Sequence, residues 1–68
     1  MEFTVVTKQC EGWWIGWVEE IPGVNCQEKT KDELLKSLKA AAREALEFNR
    51  EAAIDAAGRD YLEERIAI

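Results

Sequence analysis

Residues 12–33, GWWIGWVEEIPGVNCQEKTKDE, decide the fold of this 68-residue chain. They begin with a run of aromatic and β-branched residues, 13–19, which is typical of a β-strand. Pro22 and Gly23 then predict a turn, because proline fixes φ and glycine accepts the positive φ that tight turns need. A short strand over residues 24–28 follows the turn. The stretch therefore predicts a β-hairpin that leads directly into a helix.

The predicted helix is long and begins at Thr30. Thr30 and Glu33 fit a capping box, in which the threonine oxygen accepts a backbone N–H and the glutamate reaches back to the N–H of the cap. From Leu34 onward, apolar residues recur at spacings of three and four, as on the buried side of a helix. Gly58 is a residue type that commonly ends helices, so we expect the helix to continue nearly that far.

Two further strands complete the predicted architecture. Residues 2–10 alternate as in a strand and join the aromatic strand through a turn at Glu11 and Gly12, and residues 65–68 alternate in the same way. In a β-β-β-α-β chain the helix returns the fourth strand parallel to the first, which leaves it the free place beside that strand. We therefore predict one α+β domain, residues 1–68, with a mostly antiparallel sheet in the order 3-2-1-4 and one long helix in a second layer.

The two faces of the aromatic strand have different predicted roles. Gly16 in a strand interior leaves a gap, which indicates that the helix approaches the sheet closely on that side. The opposite face, with Phe3 and Val5 beside it, is then left open. Three residues of that face are candidates for a partner interface: Trp13, Ile15 and Trp17. The alternative is that these side chains pack against the overhanging end of the helix.

Composition limits the classes of function that the chain supports. A net charge of −5 repels phosphate backbones, so we expect no direct binding of nucleic acid, whereas a basic protein would be attracted. Glu19 and Glu20 follow the aromatic strand and are candidates to meet such a protein, with an ordinary solvated rim as the alternative. A chain this small usually needs a further source of stability, and we expect self-association into a dimer or tetramer.

We expect neither catalysis nor a cofactor nor a metal. The sequence contains no histidine, the commonest general base, and nothing in it gathers the carboxylates that a metal-dependent nuclease would require. Cys10 and Cys26 fall short of a structural metal site and are expected to be buried structural thiols. No apolar run has the length of a membrane span and no export signal is evident, so we expect a cytoplasmic protein.

The order of these features resembles the HicB family, the antitoxins of HicA–HicB toxin–antitoxin pairs. The matching positions are Gly12, Trp14, Gly16, Ile21, Pro22, Gly23, Thr30 and Glu33, with Ala45 and Leu46 in the helix. The resemblance spans nearly the whole chain and depends on order and spacing, since each feature alone is common. It implies a fold similar to part of the ribonuclease H fold. Many family members carry a C-terminal DNA-binding module that these residues do not include, so the resemblance implies toxin binding rather than operator binding.

The function implied by the resemblance is neutralisation of a small basic HicA-type toxin that cleaves mRNA. An acidic oligomer would bind the toxin and cover its catalytic surface. The residues expected to contact the toxin are Trp13, Ile15, Trp17, Glu19 and Glu20. The residues expected to be structural are Gly16, Pro22, Gly23, Thr30 and Glu33. The alternative function is a stand-alone homo-oligomeric scaffold without a toxin partner.

Overall fold

The computed structural model describes residues 2–68. Three strands precede one helix: β1 (Val5–Cys10), β2 (Trp13–Val18), β3 (Asn25–Glu28) and α1 (Lys31–Ala57). The sheet is antiparallel throughout, in the order β1-β2-β3, so that β2 lies in its centre. The predicted α+β class, with an antiparallel sheet and one long helix, is confirmed.

Both connections between the strands contain residues with positive φ. Glu11 and Gly12 form the β1–β2 turn with φ values of 50° and 84°, the left-handed geometry typical of a two-residue hairpin loop. In the second connection Gly23 has a φ of 85°, and the amide of Val24 donates to the carbonyl of Ile21 over 3.3 Å. Both turns therefore occur where the sequence predicts them.

The helix α1 begins at the predicted threonine cap. Thr30 Oγ1 accepts a hydrogen bond from the Glu33 amide over 3.2 Å, and the Thr30 carbonyl accepts one from the Leu34 amide over 3.0 Å. The Glu33 carboxylate departs from the predicted capping box, because it accepts its hydrogen bond from the Thr30 hydroxyl, over 3.0 Å. At the other end Gly58 has a φ of 76° and donates its amide to the Ile54 carbonyl, which ends the helix as expected.

The core lies between the sheet and the first half of α1. Six buried apolar residues form it: Val18, Ile21, Val24, Leu34, Leu38 and Ala42. Gly16 permits this packing, because a β-carbon at that position would lie 2.7 Å from Leu38 Cδ1 and 3.1 Å from Leu34 Cδ2. The expected close approach of the helix to this glycine is confirmed.

The predicted fourth strand does not form. Residues 61–68 have no regular secondary structure, and the sheet contains β1, β2 and β3 alone within the part of the chain that the structure describes. Alternation alone does not make a segment a strand, because strand formation also depends on pairing with a neighbouring strand. The helix α1 continues about 16 Å past Leu46, the last of its residues that lines the groove beside β1, at 1.5 Å per residue. Glu63 then pairs with Arg50 on this overhang, over 3.5 Å, rather than reaching the sheet.

The overhang makes the molecule elongated, with principal dimensions of 51 × 23 × 15 Å. Most residues in the second half of α1 are exposed to solvent. Over residues 2–68, no helix combines the length and the apolar character that crossing a bilayer requires.

Candidate protein-binding surface

Alternation along the strands assigns every residue of the sheet to one of two faces. Residues directly opposite each other in an antiparallel pair point to the same side. Val18 and Gly16 are buried under α1, so their partners Val5, Thr7 and Cys26 belong to that face. The other face, called the open face here, carries Val6, Lys8, Cys10, Trp13, Ile15, Trp17, Asn25 and Gln27.

The three predicted interface residues of β2 form a strip along the open face. Trp17 is 43% exposed, whereas Trp13 and Ile15 are half-buried between neighbouring strands. Val6, which lies opposite Trp17 and is 47% exposed, widens the strip at one end. With a rise of about 3.3 Å per residue, the strip extends about 13 Å from the first tryptophan to the last. The helix packs on the opposite side, so in one copy this apolar surface stays in contact with water.

Two residues that were expected beside the strip belong to the other face. Val5 lies opposite Val18, and Phe3 packs against the core, so both are on the α1 side of the sheet. The prediction is wrong because alternation shows which residues of a strand share a face, but the register with the next strand decides which face that is. Val6 takes the expected place beside Trp17.

Charges are distributed unequally along the strip. Lys29 Nζ lies 3.8 Å from the centroid of the Trp13 ring, a cation–π contact that covers part of the ring. Glu19 and Glu20 follow β2 at the opposite end, next to Trp17. The strip therefore has a lysine at one end and carboxylates at the other, and a second lysine, Lys8, lies opposite Ile15 at its middle. Sequence reasoning missed the lysine, although extending the β2–β3 register by one residue pair would have placed it opposite Trp13.

Glu20 has a partner within the chain. Its two carboxylate oxygens accept a hydrogen bond from the Thr4 amide at 2.9 and 3.0 Å, and the Thr4 carbonyl accepts one from the Glu19 amide at 2.9 Å. The Thr4 N–H lowers the pKa of Glu20 below its usual value of 4.5, because it stabilises the ionised carboxylate. Glu20 therefore fastens the residues before β1 to the end of β2, and Glu19 is the freer of the two candidate acids for an intermolecular contact.

One further carboxylate of the strand region lies on the other face of the sheet. Glu28 lies on the α1 side, where its Oε2 accepts a hydrogen bond from the Ser37 hydroxyl over 2.6 Å. This contact fastens the end of β3 to the helix. Over residues 2–68, no three acidic or thiol side chains are arranged as ligands for a metal ion.

The two cysteines lie on opposite faces and are both free thiols. Cys26 is half-buried under α1, and burial, with a smaller contribution from the charge of Glu28, raises the pKa of its thiol. Cys10 is exposed at the end of β1 on the open face. The prediction of a buried thiol is therefore wrong for Cys10, because the helix covers only the other side of the sheet.

The open face thus offers a partner an apolar strip with a lysine at one end and two carboxylates at the other. The central strand of the sheet presents the apolar side chains of the strip at regular spacing on one face, which suits recognition of a macromolecular surface. In comparisons with protein-family models, with curated proteins and with solved structures, nothing matches the chain.

Proposed function

We propose that the chain is a protein-binding module of the HicB antitoxin type, which neutralises a small basic toxin that cleaves mRNA by covering the toxin's active surface. The observation that carries the proposal is the uncovered strip formed by Trp13, Ile15 and Trp17 on the open face. Clustered aromatic side chains on an exposed surface are typical of protein interfaces. A partner that covers the strip would remove this apolar area from water, which favours association.

Trp17 is the residue expected to contribute most to binding. It is the most exposed of the three, at 43%, so it has the most area left to bury. The ring of Trp13 is already partly covered by Lys29, and Ile15 is half-buried between β1 and β3. Tryptophans that become buried at the centre of an interface are commonly among the few residues that dominate its affinity.

The charge of the chain favours a basic partner. The net charge is −5, and Glu19 extends the carboxylate end of the strip beyond Trp17. A basic toxin surface approaching this end would meet the carboxylates, while Lys29 at the other end would disfavour positive charge there. Such complementarity mainly accelerates association and fixes orientation, and its effect decreases as salt is added.

The resemblance in sequence supplies the class of partner, because the turn, the glycine under the helix and the threonine cap occur in the order of the HicB pattern. We place both proteins in the cytoplasm, where the toxin would meet mRNA. Reducing conditions there would keep Cys10 and Cys26 as the free thiols seen in the structure. Neither catalysis nor a cofactor is required of the chain in this role, since occlusion alone inactivates the toxin.

Co-expression with a small basic protein encoded beside this gene tests the proposal. The chain is expected to restore growth of cells that express this toxin, and the purified pair is expected to form a complex at micromolar concentration. Trp17→Ala should weaken the complex by at least about tenfold. The matched control is Phe48→Ala, because Phe48 is a 69% exposed aromatic residue on α1, away from the open face.

The possible results show whether the chain binds the toxin and whether the open face is the binding site. If neither rescue nor a complex is observed, toxin binding is wrong and the stand-alone scaffold is favoured. If both variants weaken the complex equally, or if only Phe48→Ala does so, the partner binds but the open face is not its site. Urea unfolding of both variants shows whether a lost complex reflects lost folding.

A further inference from the structure

A second apolar surface lies on the α1 side of the molecule, in a groove of about 300 Å³ between β1 and the helix. Its walls include the apolar side chains of Phe3, Val5, Leu35 and Leu46, and the basic residues Lys39 and Arg43. Leu35 and Leu46 are 39% and 37% exposed, and Val5 is 37% exposed. The groove is therefore apolar at its base and positively charged along the helix.

The groove lies beside a free sheet edge. β1 pairs with β2 on one side, and its other side presents backbone N–H and C=O groups with no neighbouring strand among residues 2–68. An extended segment laid along such an edge forms main-chain hydrogen bonds, while every second side chain enters the adjacent pocket. The edge and the groove together are thus suited to a segment with apolar residues at alternate positions.

Residues 61–68, YLEERIAI, carry apolar residues at three of the four positions on one side of an extended chain, with Glu64 at the fourth. Leu62, Ile66 and Ile68 are separated by even numbers of residues, so they share one side of an extended chain. The side chains of Leu62 and Ile66 are 87% and 88% exposed, and that of Ile68 is fully exposed. Three large aliphatic side chains in water are unfavourable by the hydrophobic effect, which favours any arrangement that buries them.

The charges of the segment and of the groove are also complementary. The segment contains Glu63, Glu64 and Arg65. Of these, Glu64 shares the side of Leu62 and Ile66, so its carboxylate would face Lys39 and Arg43 along the groove. Two copies could also pair directly through their β1 edges. That arrangement is disfavoured because it would bring two positively charged grooves side by side.

In the structure the segment does not occupy the groove of its own copy, whose lining includes none of residues 61–68. The helix carries the chain about 16 Å past Leu46, and Glu63 forms a solvent-exposed ion pair with Arg50 on the overhang, over 3.5 Å. A second copy can supply its segment without any change in the overhang, and a symmetric exchange satisfies both copies at once. The core of one copy consists of six buried residues, and domains this small commonly gain stability from a partner subunit. The exchange would supply that stability by burying further apolar side chains.

We infer that residues 61–68 of one copy lie extended along the free edge of β1 in a second copy, with Leu62, Ile66 and Ile68 in its groove. Two copies that exchange these segments form a symmetric homodimer. The open face of each copy stays uncovered, so this inference is independent of the proposed toxin binding.

Sedimentation of the full chain and of four single variants tests the inference, each variant introducing one lysine. Ile66→Lys in the segment and Leu46→Lys in the groove are each expected to weaken the dimer by at least about tenfold, because each places a charge among apolar and basic groups. Ala67→Lys is the control for the segment, since residue 67 lies on its other side. Phe48→Lys is the control for the helix, since Phe48 lines a different depression, beside Gly23. Both controls are expected to dimerise like the unmodified chain.

Mixing the two disruptive variants separates exchange from the other arrangements. The Leu46→Lys copy keeps an intact segment and the Ile66→Lys copy keeps an intact groove, so one of the two exchanged contacts re-forms in the mixture. The mixture is expected to dimerise at concentrations where each variant alone is monomeric. No gain on mixing would show that the segment binds its own copy or that the copies meet elsewhere. A chain that is monomeric at about 100 μM, or equal effects of Ile66→Lys and Ala67→Lys, would also overturn the inference.

Discussion

The six residues of β2 alternate between two faces of the sheet, and the two faces have different surroundings. On the covered face Gly16 and Val18 are buried against aliphatic side chains of α1 and the core. On the open face Trp13 and Trp17 have no helix over them. Two of the three tryptophans of the strand therefore lie where they contribute little to the core, whereas Trp14 packs against the core on the covered face beside Gly16, the smallest residue of the strand. This difference predicts that the free energy of folding depends on the covered face and that the proposed partner binding depends on the open face.

Removing a core leucine is expected to have the largest effect. Leu38 is 1% exposed and touches the space above Gly16. Leu38→Ala should lower the free energy of unfolding by about 2–5 kcal/mol, through lost burial and the cavity that remains. Domains of this size rarely have more than about 3–5 kcal/mol in total, so the variant should be largely unfolded. Circular dichroism and urea titration measure the loss.

The matched change on the open face is Trp17→Ala, which removes a larger side chain. It should change the free energy of unfolding by less than about 1 kcal/mol, because exposed side chains contribute little to folding. A loss as large as that of Leu38→Ala would mean that Trp17 belongs to the core, and the comparison of the two faces would be wrong.

Adding volume at the centre of the covered face is expected to have the second largest effect. Gly16→Val places a β-carbon 2.7 Å from Leu38 Cδ1 and 3.1 Å from Leu34 Cδ2. Both leucines are fully buried and have little room to move, so the expected loss is about 1–3 kcal/mol. Ile15→Val, one residue away on the open face, is the control and should cost less than about 1 kcal/mol. A Gly16→Val variant as stable as the unmodified chain would show that strand propensity outweighs the close packing.

The helix cap is expected to have a smaller effect, because it orders the start of α1 without contributing to the core. Thr30→Ala loses the 3.2 Å hydrogen bond from the Glu33 amide and should lower the free energy of unfolding by about 1 kcal/mol. Thr30→Ser retains a hydroxyl and should remain close to the unmodified chain. If serine and alanine give the same melting temperature, the hydroxyl is not what stabilises the helix start.

Local features of the fold could be predicted from the sequence. The alternation in β2, the Pro22-Gly23 turn and the Thr30 cap each depend on residues close together in the chain, and Gly16 indicated which face the helix covers. Predictions that required distant residues to meet were less successful. Residues 65–68 alternate like a strand, but in the structure they do not pair with the edge of β1. Tertiary placement, rather than local pattern, decides whether such a segment becomes a strand.

The candidate site shows the same limit. Trp13, Ile15 and Trp17 follow from alternation within one strand, so the sequence locates them on one face. The contact of Lys29 with Trp13 depends on the register of two strands. The hydrogen bond from Thr4 to Glu20 joins residues 16 positions apart, and no local pattern contains it.

Replacing Glu20 is expected to have the smallest effect on the free energy of unfolding. Unlike the effects of the core variants, this effect should depend on pH. The Thr4 amide stabilises its ionised carboxylate, so its pKa in the folded state lies below the usual 4.5. Such a group adds stability that is fully present above its unfolded-state pKa and disappears as the pH falls through the folded-state pKa. Urea titrations at several pH values should therefore show the unmodified chain more stable than Glu20→Gln above pH 4.5, with a difference that shrinks at lower pH. The loss in Leu38→Ala should persist over the same range, because it depends on burial rather than charge. A Glu20→Gln difference that is equally constant would mean that the Thr4 amide recognises the shape of this side chain and not its charge.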